Sequence, residues 1–388
     1  MHKNLSRILT MTLSTKILPV SVSSITFEGN VPKIVDEATK SNLDIAADEV
    51  KKPGHVVAFP TETVYGLGGS ALCDESVRAI YAAKNRPADN PLIVHVSSHE
   101  QIERILLPQS HKIPAIYEKL IQKFWPGPLT ILLPVEEGSP VSKLTTAGQN
   151  TLGVRMPLHP VARALIAQSD TPLAAPSANA STRPSPTIAS HVYHDLNGRI
   201  PYILDGGACD VGVESTVVDG LTSPPMLLRP GGVSAEDIRK YGGGEWENLV
   251  MAKMTADKSE AVRTPGMKYR HYSPTAKVVL FSGCKDGNIA VKQWMEKSPE
   301  RDPSKIALLR GASFSSAAEL NLEGAIERHL GKNATEMAHN LFKMLREVDE
   351  LGVSLILVEG VEETGDGLAV MNRLAKAAFE VVHATDES

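Results

Sequence analysis

The chain has 388 residues, 42% apolar and 22% charged, with a formal net charge of -5. That make-up fits a folded protein of two or three domains and excludes one that is basic all over, although a local basic cleft stays open. Three scattered cysteines, Cys73, Cys209 and Cys284, argue against structural zinc and suit a reducing compartment, and no apolar run approaches the roughly 18–20 residues of a membrane helix.

Residues 1–33 read as a disordered leader or a weak targeting segment. Met1 to Phe27 contains no Asp or Glu and carries Lys3, Arg7 and Lys16 among many Ser and Thr. Arginine is scarce and the amphipathic pattern poor, which favours a plain leader. The expectation is a cytoplasmic protein with a possible minor mitochondrial pool.

Residues 34–240 alternate short apolar strands with helices. His55 to Phe59 reads as a strand. Asp74 then caps a helix carrying Val77, Ile80, Tyr81 and Lys84 at i, i+3, i+4 and i+7. Further strands are predicted over Leu92–Val96, Leu129–Leu133, Leu152–Met156, Tyr202–Leu204, Thr216–Val218 and Met226–Leu228, punctuated by Pro and Gly. The pattern is α/β, with a mixed twisted sheet. From 241 to 275 the periodicity fades into a long linker, of the kind that is usually functional or disordered. Residues 276–388 form a smaller unit, with strands Lys277–Phe281, Ile306–Leu309 and Leu355–Glu359. One helix carries Met337, Leu341, Met344, Leu345 and Val348, and another runs from about Leu368 to Val381. This predicts a parallel, doubly wound domain.

There is no Walker A loop, no G-x-S-x-G elbow and no H-E-x-x-H. Polar groups cluster instead at strand ends. Pro60 to Gly68 leaves a strand with hydroxyls at Thr61 and Thr63 and glycines that allow close backbone approach. Alone, it could be a decorated turn. Lys84-Asn85-Arg86-Pro87 ends a helix, where cations are favourable through the macrodipole, but the pair could equally face phosphates. Asn90 and His95 follow. Ser177-Ala178-Asn179 leads to Ser185, and Thr151 and Arg155 flank another strand. Glu214-Ser215-Thr216 and Arg229-Pro230-Gly231 complete the set. Lys, Arg, Ser, Thr and Asn at strand ends suggest a nucleotide site built without a P-loop.

Taken together, Pro60 to Leu67, Lys84-x-Arg86-Pro87, Ser177-x-Asn179, Glu214-Ser215-Thr216 and Leu228-Arg229-Pro230-Gly231 resemble the YrdC/Sua5 family of threonylcarbamoyl-AMP synthases. Pro265 to Pro274 is similar to the linker of the long, Sua5-type members, and Gly367 to Ala378 to the closing helix of their C-terminal domain. The resemblance implies an open twisted YrdC-like domain, a Rossmann-like Sua5 domain and a nucleotidyltransferase. Its substrates would be ATP, L-threonine and bicarbonate or CO2, with Mg2+ accompanying ATP and no metal ligand set in the protein. The product would pass to a transferase that modifies adenosine 37 of tRNAs reading ANN codons. The resemblance also implies that Thr63, His95, Arg155, Ala175 and Ser215 surround threonine. Arg86, Asn90, Thr151, Ser177, Asn179, Ser185 and Arg229 would hold ATP, with His271 and Tyr272 closing over its phosphates. Lys84 and Arg86 would be catalytic. A non-catalytic double-stranded RNA-binding protein using the same basic cleft is the competing reading.

Overall fold

In the computed structural model, residues 13–107, 111–252, 271–284, 286–298, 300 and 302–383 are described. The larger unit is built on an eleven-stranded mixed sheet. Its centre runs from Val57–Phe59 through Gly66–Ser70, Leu173–Ala174, Val94–His95, Thr151–Arg155 and Leu129–Pro134 to Thr216–Asp219 and Met226–Arg229. A large apolar cluster on one side takes in Leu67, Val94, Ile131 and Val154 of the sheet with Val77 and Ile80 of the Asp74–Lys84 helix. A second cluster joins Val57 and Phe59 to Leu43 and Leu165 of the Glu37–Val50 and Pro160–Ser169 helices.

The register decides which side chains meet. His95 pairs with both Arg155 and Leu173 on its two neighbours. Val217 pairs with Thr130 on one side and Arg229 on the other. Residues in register on adjacent strands lie about 5 Å apart. The ends carrying His95, Arg155, Thr130, Ser215 and Arg229 therefore fall along one edge of the sheet.

The smaller unit is a five-stranded parallel sheet in the spatial order Ile326–His329, Ile306–Arg310, Leu355–Glu359, Lys277–Ser282, Glu380–His383. Asn333 caps the Ala334–Glu350 helix by accepting from the Glu336 amide at 2.9 Å, and Glu336 accepts in return from the Lys332 amide at 2.8 Å. Met337, Leu341, Leu345 and Val348 bury one face of that helix against Val278, Leu280, Leu309 and Ile356.

Several expectations need correction. Residues 16–34 are not a leader: Lys16–Pro19 is the edge strand of the large sheet, parallel to Tyr202–Asp205, and Ile25–Glu28 pairs with Val31–Ile34. Only Leu18 of the edge strand is buried, so the strand leaves almost no hydrophobic signal. The part of the leader at residues 1–12 lies outside the described residues. The first unit does not end at residue 240: Trp246 is buried in its core and Val250–Met251 extends its sheet. Gly66–Ser70 is a strand and not a loop, despite the low strand preference of glycine. Glycine is required there, because a Cβ on Gly68 would stand 2.5 Å from the Phe59 ring. The helix expected to reach Val381 stops at Ala377, and Glu380–His383 is a strand. Asp74 lies in the first turn of its helix and not at the N-cap, a position held by Cys73 without a side-chain hydrogen bond.

Candidate functional site

Thr61 sits just beyond the Val57–Phe59 strand and organises the first loop. Its hydroxyl accepts the Thr63 and Val64 amides, both at 3.2 Å, and donates to the Val64 carbonyl at 2.6 Å. The Thr63 hydroxyl accepts from Arg155 Nη1 at 2.9 Å. Glu62, buried beside it, accepts the Leu158 amide at 3.0 Å, and its Oε2 lies 3.6 Å from Arg155 Nη2. Burial lowers the pKa of Arg155, and Glu62 acts against that. Arg155 Nε has no hydrogen-bond partner among the described residues.

The Asp74–Lys84 helix ends in a left-handed cap at Asn85, φ 52°. That turn splits the Lys84 and Arg86 side chains. Lys84 is buried, and its ammonium donates to the Ser177 carbonyl and, at 2.5 Å, to the Asn179 carbonyl. Burial and the neighbouring Arg86 push its pKa well down. Arg86 is half-buried; its Nη2 reaches the Pro91 carbonyl at 3.5 Å, while Nε is shielded from solvent without a partner among the described residues.

On the far side, Ser215 Oγ lies 2.8 Å from Thr130 Oγ1 and accepts from Arg229 Nη2 at 3.1 Å. Arg229 Nε and Nη2 also donate to the Ser215 carbonyl, at 3.0 and 2.9 Å. Burial lowers Arg229 to about 10, against the opposing influence of Tyr272 and Glu214, so the group stays charged at neutral pH. Gly231 permits this packing: a Cβ there would lie 2.2 Å from the Glu214 carbonyl oxygen. Glu214 accepts from Ser185 Oγ at 2.6 Å and from Arg373 Nε, on the Asp366–Ala377 helix, at 3.0 Å. Burial alone would raise Glu214, but Arg373 and Arg229 outweigh it and bring it to about 2.

These segments enclose one small cavity of about 50 Å³. Of the residues expected at the site, Thr63, Arg86, His95, Arg155, Ala175, Ser177, Ser215, Arg229, His271 and Tyr272 line it. His95 is buried with Nδ1 3.2 Å from the Ile93 carbonyl; burial and then Arg155 lower its pKa, so the ring is neutral at pH 7. Tyr272 has φ 63°, a left-handed backbone uncommon for an aromatic residue, and its ring packs 5.1 Å from that of Phe342. The linker positions Pro265 to Arg270 lie outside the described residues.

Five expected residues do not line the cavity. Lys84 and Asn179 brace each other behind it, and Ser185 supports Glu214. Asn90 is buried, its Oδ1 has no hydrogen-bond partner among the described residues, and its carbonyl accepts from the Tyr81 hydroxyl. Thr151 stands at the opposite end of the strand that ends in Arg155, in register with Pro134. Conversely, Thr61, Val64, Gly66, Ile93, Pro176 and Glu214 line the cavity without having been assigned a role. Glu214 could have been found, because it adjoins Ser215 in a recognised motif. Its partner Arg373 is 159 positions away and carries no local sign.

Cationic and hydroxyl groups converging at the strand ends of one α/β domain, sealed by residues joined to a second α/β domain, define an enzyme acting on small anionic substrates. The family profile described as "Telomere recombination" (Sua5_yciO_yrdC) matches residues 49–231, and that described as "Threonylcarbamoyl-AMP synthase, C-terminal domain" matches residues 233–379. The threonylcarbamoyl-AMP synthase of Schizosaccharomyces pombe is 50% identical, covering 95% of this chain and 97% of its own. That of Pyrococcus abyssi is 45% identical over 87% of this chain and 94% of its own. The crystal structure of P. abyssi Sua5 complexed with L-threonine superposes with a TM-score of 0.79 at 41% identity, covering 95% of this chain and all of that one. The chain belongs to the Sua5 family of threonylcarbamoyl-AMP synthases. Among the described residues, no helix is long and apolar enough to cross a membrane.

Proposed function

We propose that this chain joins L-threonine, bicarbonate or CO2, and ATP into threonylcarbamoyl-adenylate and pyrophosphate. The observation that carries the reading is the convergence of Arg86, Arg155 and Arg229 with Thr63, His95, Ser177 and Ser215 on one cavity. A cavity lined by cations and hydroxyls suits carboxylate and phosphate together.

The threonine amine adds to CO2, or to bicarbonate with loss of water, to give an N-carboxylate. One oxygen of that carboxylate attacks the α-phosphorus of ATP. The bond from that phosphorus to the β-phosphate oxygen breaks, and pyrophosphate leaves. Arg155, held by Thr63 and Glu62, would take the threonine carboxylate. Arg86 and Arg229 offset the charge that grows on phosphorus and on the leaving pyrophosphate. Neutral His95 can donate or accept a hydrogen bond without adding charge. No covalent enzyme intermediate is required, so catalysis is positioning and electrostatics. Lys84, with its ammonium on the Ser177 and Asn179 carbonyls, is a positioning residue that fixes the Ser177 loop.

Magnesium would arrive on the phosphates of ATP, where it supplies positive charge. The carboxylate that lines the cavity, Glu214, is engaged by Arg373 and Ser185. With that carboxylate occupied, the ion would be carried by the nucleotide.

A cavity of about 50 Å³ is far smaller than ATP, so the nucleotide would either extend beyond it or displace part of the wall. His271 and Tyr272 are the lining residues that come from the linker. Closing them over the nucleotide would exclude water, which matters because carbamates lose CO2 readily. The buried placement of Arg155 and Arg229 favours a small anion over an RNA backbone. The product would go to a tRNA threonylcarbamoyl transferase, and the three free cysteines suit a cytoplasmic setting. Mass spectrometry of the product from ATP, threonine and labelled bicarbonate tests the reading. Label in an adenylate that forms only with threonine present supports it, and ATP hydrolysis without such a product ends it.

A further inference from the structure

Two buried arginines of the C-terminal domain reach into the catalytic domain, and they end in different places. Arg346, on the Ala334–Glu350 helix, donates to Asp195 and to the Pro184 carbonyl, neither of which lines the cavity. Arg373 lies on the Asp366–Ala377 helix with no solvent exposure. Its Nε donates to Glu214 Oε2 at 3.0 Å and its Nη1 to the Pro230 carbonyl. Its Cζ lies 6.0 Å from the centre of the Tyr272 ring. Glu214 and Tyr272 both line the cavity, and Pro230 follows Arg229, which also lines it.

We propose that Arg373 is a positioning residue of the catalytic cavity, delivered by the C-terminal domain, and that it fixes Glu214 and the Arg229–Pro230 turn so that the nucleotide side of the site is complete only when the two domains are docked. The inference rests on reading the cavity as a nucleotide site. Arg346 also forks between two acceptors, but Asp195 and Pro184 lie off the cavity, so its contact joins the two domains without touching a lining segment. Arg373 uses two edges of one planar fork to tie the Glu214 segment to the Pro230 turn. These are the segments that pack so tightly that Gly231 admits no Cβ. A lysine in its place could hold one acceptor but not this pair at fixed geometry. Release of Glu214 would also disturb its hydrogen bond with Ser185. The arrangement explains how a helix 159 positions downstream of Glu214 bears on the first domain's site.

Calorimetry on the full chain, titrating Mg-ATP without threonine or bicarbonate and threonine without ATP, separates the two substrates. Arg373→Ala is expected to weaken ATP binding by about tenfold or more and threonine binding by less than about threefold. Arg373→Lys should recover only part of the ATP affinity. Arg346→Ala should lower the melting temperature while leaving the ratio of the two affinities within about twofold of wild type. ATP affinity within about twofold of wild type in Arg373→Ala would overturn the proposal, as would an equal loss of both ligands in the Arg373 and Arg346 variants. Should Arg373→Ala fail to fold, Arg373→Lys and Glu214→Gln carry the same comparison and are expected to show the same ATP-selective loss. A wild-type chain that binds ATP through Arg373 yet makes no adenylate leaves this inference standing and removes the proposed reaction. A wild-type chain that binds no ATP removes both.

Discussion

Arg346 Nη2 donates to Asp195 Oδ2 at 2.7 Å, with neither side chain exposed, across the junction between the two domains. Arg183 adds a second contact to Asp195 at 3.3 Å and reaches Asp349 of the C-terminal domain at 3.6 Å. Burial would raise the Asp195 carboxyl, but Arg346 overcomes this and holds it low. Loss of Arg346 leaves buried Asp195 with Arg183 as its remaining guanidinium partner, and breaking a buried pair costs more than the pair itself contributes. Arg346→Ala should therefore destabilise the chain by about 3 kcal/mol, read by denaturant unfolding, with the domains still docked in the folded state. A single transition within about 0.5 kcal/mol of wild type would show that the pair does not hold the domains together.

Arg86 tests the chemistry. Its Nε lacks a partner among the described residues, so its truncation removes little from the resting fold. Arg86→Ala should lower kcat/KM by at least about 10²-fold, roughly 3 kcal/mol of transition-state stabilisation, in a pyrophosphate-release assay. Near-normal turnover would take Arg86 out of the active site.

Arg155 carries two burdens and its loss should show both. It contacts Thr63 and balances buried Glu62. Arg155→Ala is expected to raise the KM for threonine and to lower stability by about 3 kcal/mol. In Glu62→Gln/Arg155→Ala much of the stability should return while the KM stays high. Recovery of both together would mean that Arg155 serves the fold alone.

Glu214 predicts a pH dependence of stability. Its pKa is about 2 in the folded chain against an ordinary value of 4.5. A carboxyl lowered on folding contributes stability that is full above the unfolded value and is lost as pH falls toward the folded one. The loss therefore spans about pH 4.5 to 2 and amounts to roughly 3 kcal/mol. His271, lowered to about 3 by burial and by Arg86, adds a loss of the same sign starting near pH 6.5. In Glu214→Gln the slope of unfolding free energy between pH 4.5 and 2 should flatten, as followed by denaturant titrations; an unchanged slope would refute the assignment.

Gly231 gives a purely steric test. A Cβ at 2.2 Å from the Glu214 carbonyl oxygen cannot be absorbed by a flexible side chain, since the obstacle is backbone. Gly231→Ala should cost about 3 kcal/mol or more and impair turnover through displacement of Arg229. Wild-type stability and activity in this variant would mean that the turn can shift freely.

Sequence alone determined the α/β class, the mixed and the parallel sheet, and the segments of the site, because strand periodicity, glycine turns and polar strand ends are local properties. It also singled out Arg86, Arg155 and Arg229, whose chemistry is tied to anions whatever their surroundings. Tertiary structure decided what locality cannot encode. Lys84 and Arg86, two positions apart, were separated by a left-handed turn at Asn85, one to brace carbonyls and one to face the cavity. The Lys16–Pro19 edge strand and the Gly66–Ser70 strand exist because neighbours supply their hydrogen bonds and packing, and neither announces itself by composition. The pairing of Arg373 with Glu214 depends on how two domains dock, and a contact between residues far apart in the chain leaves no spacing to read.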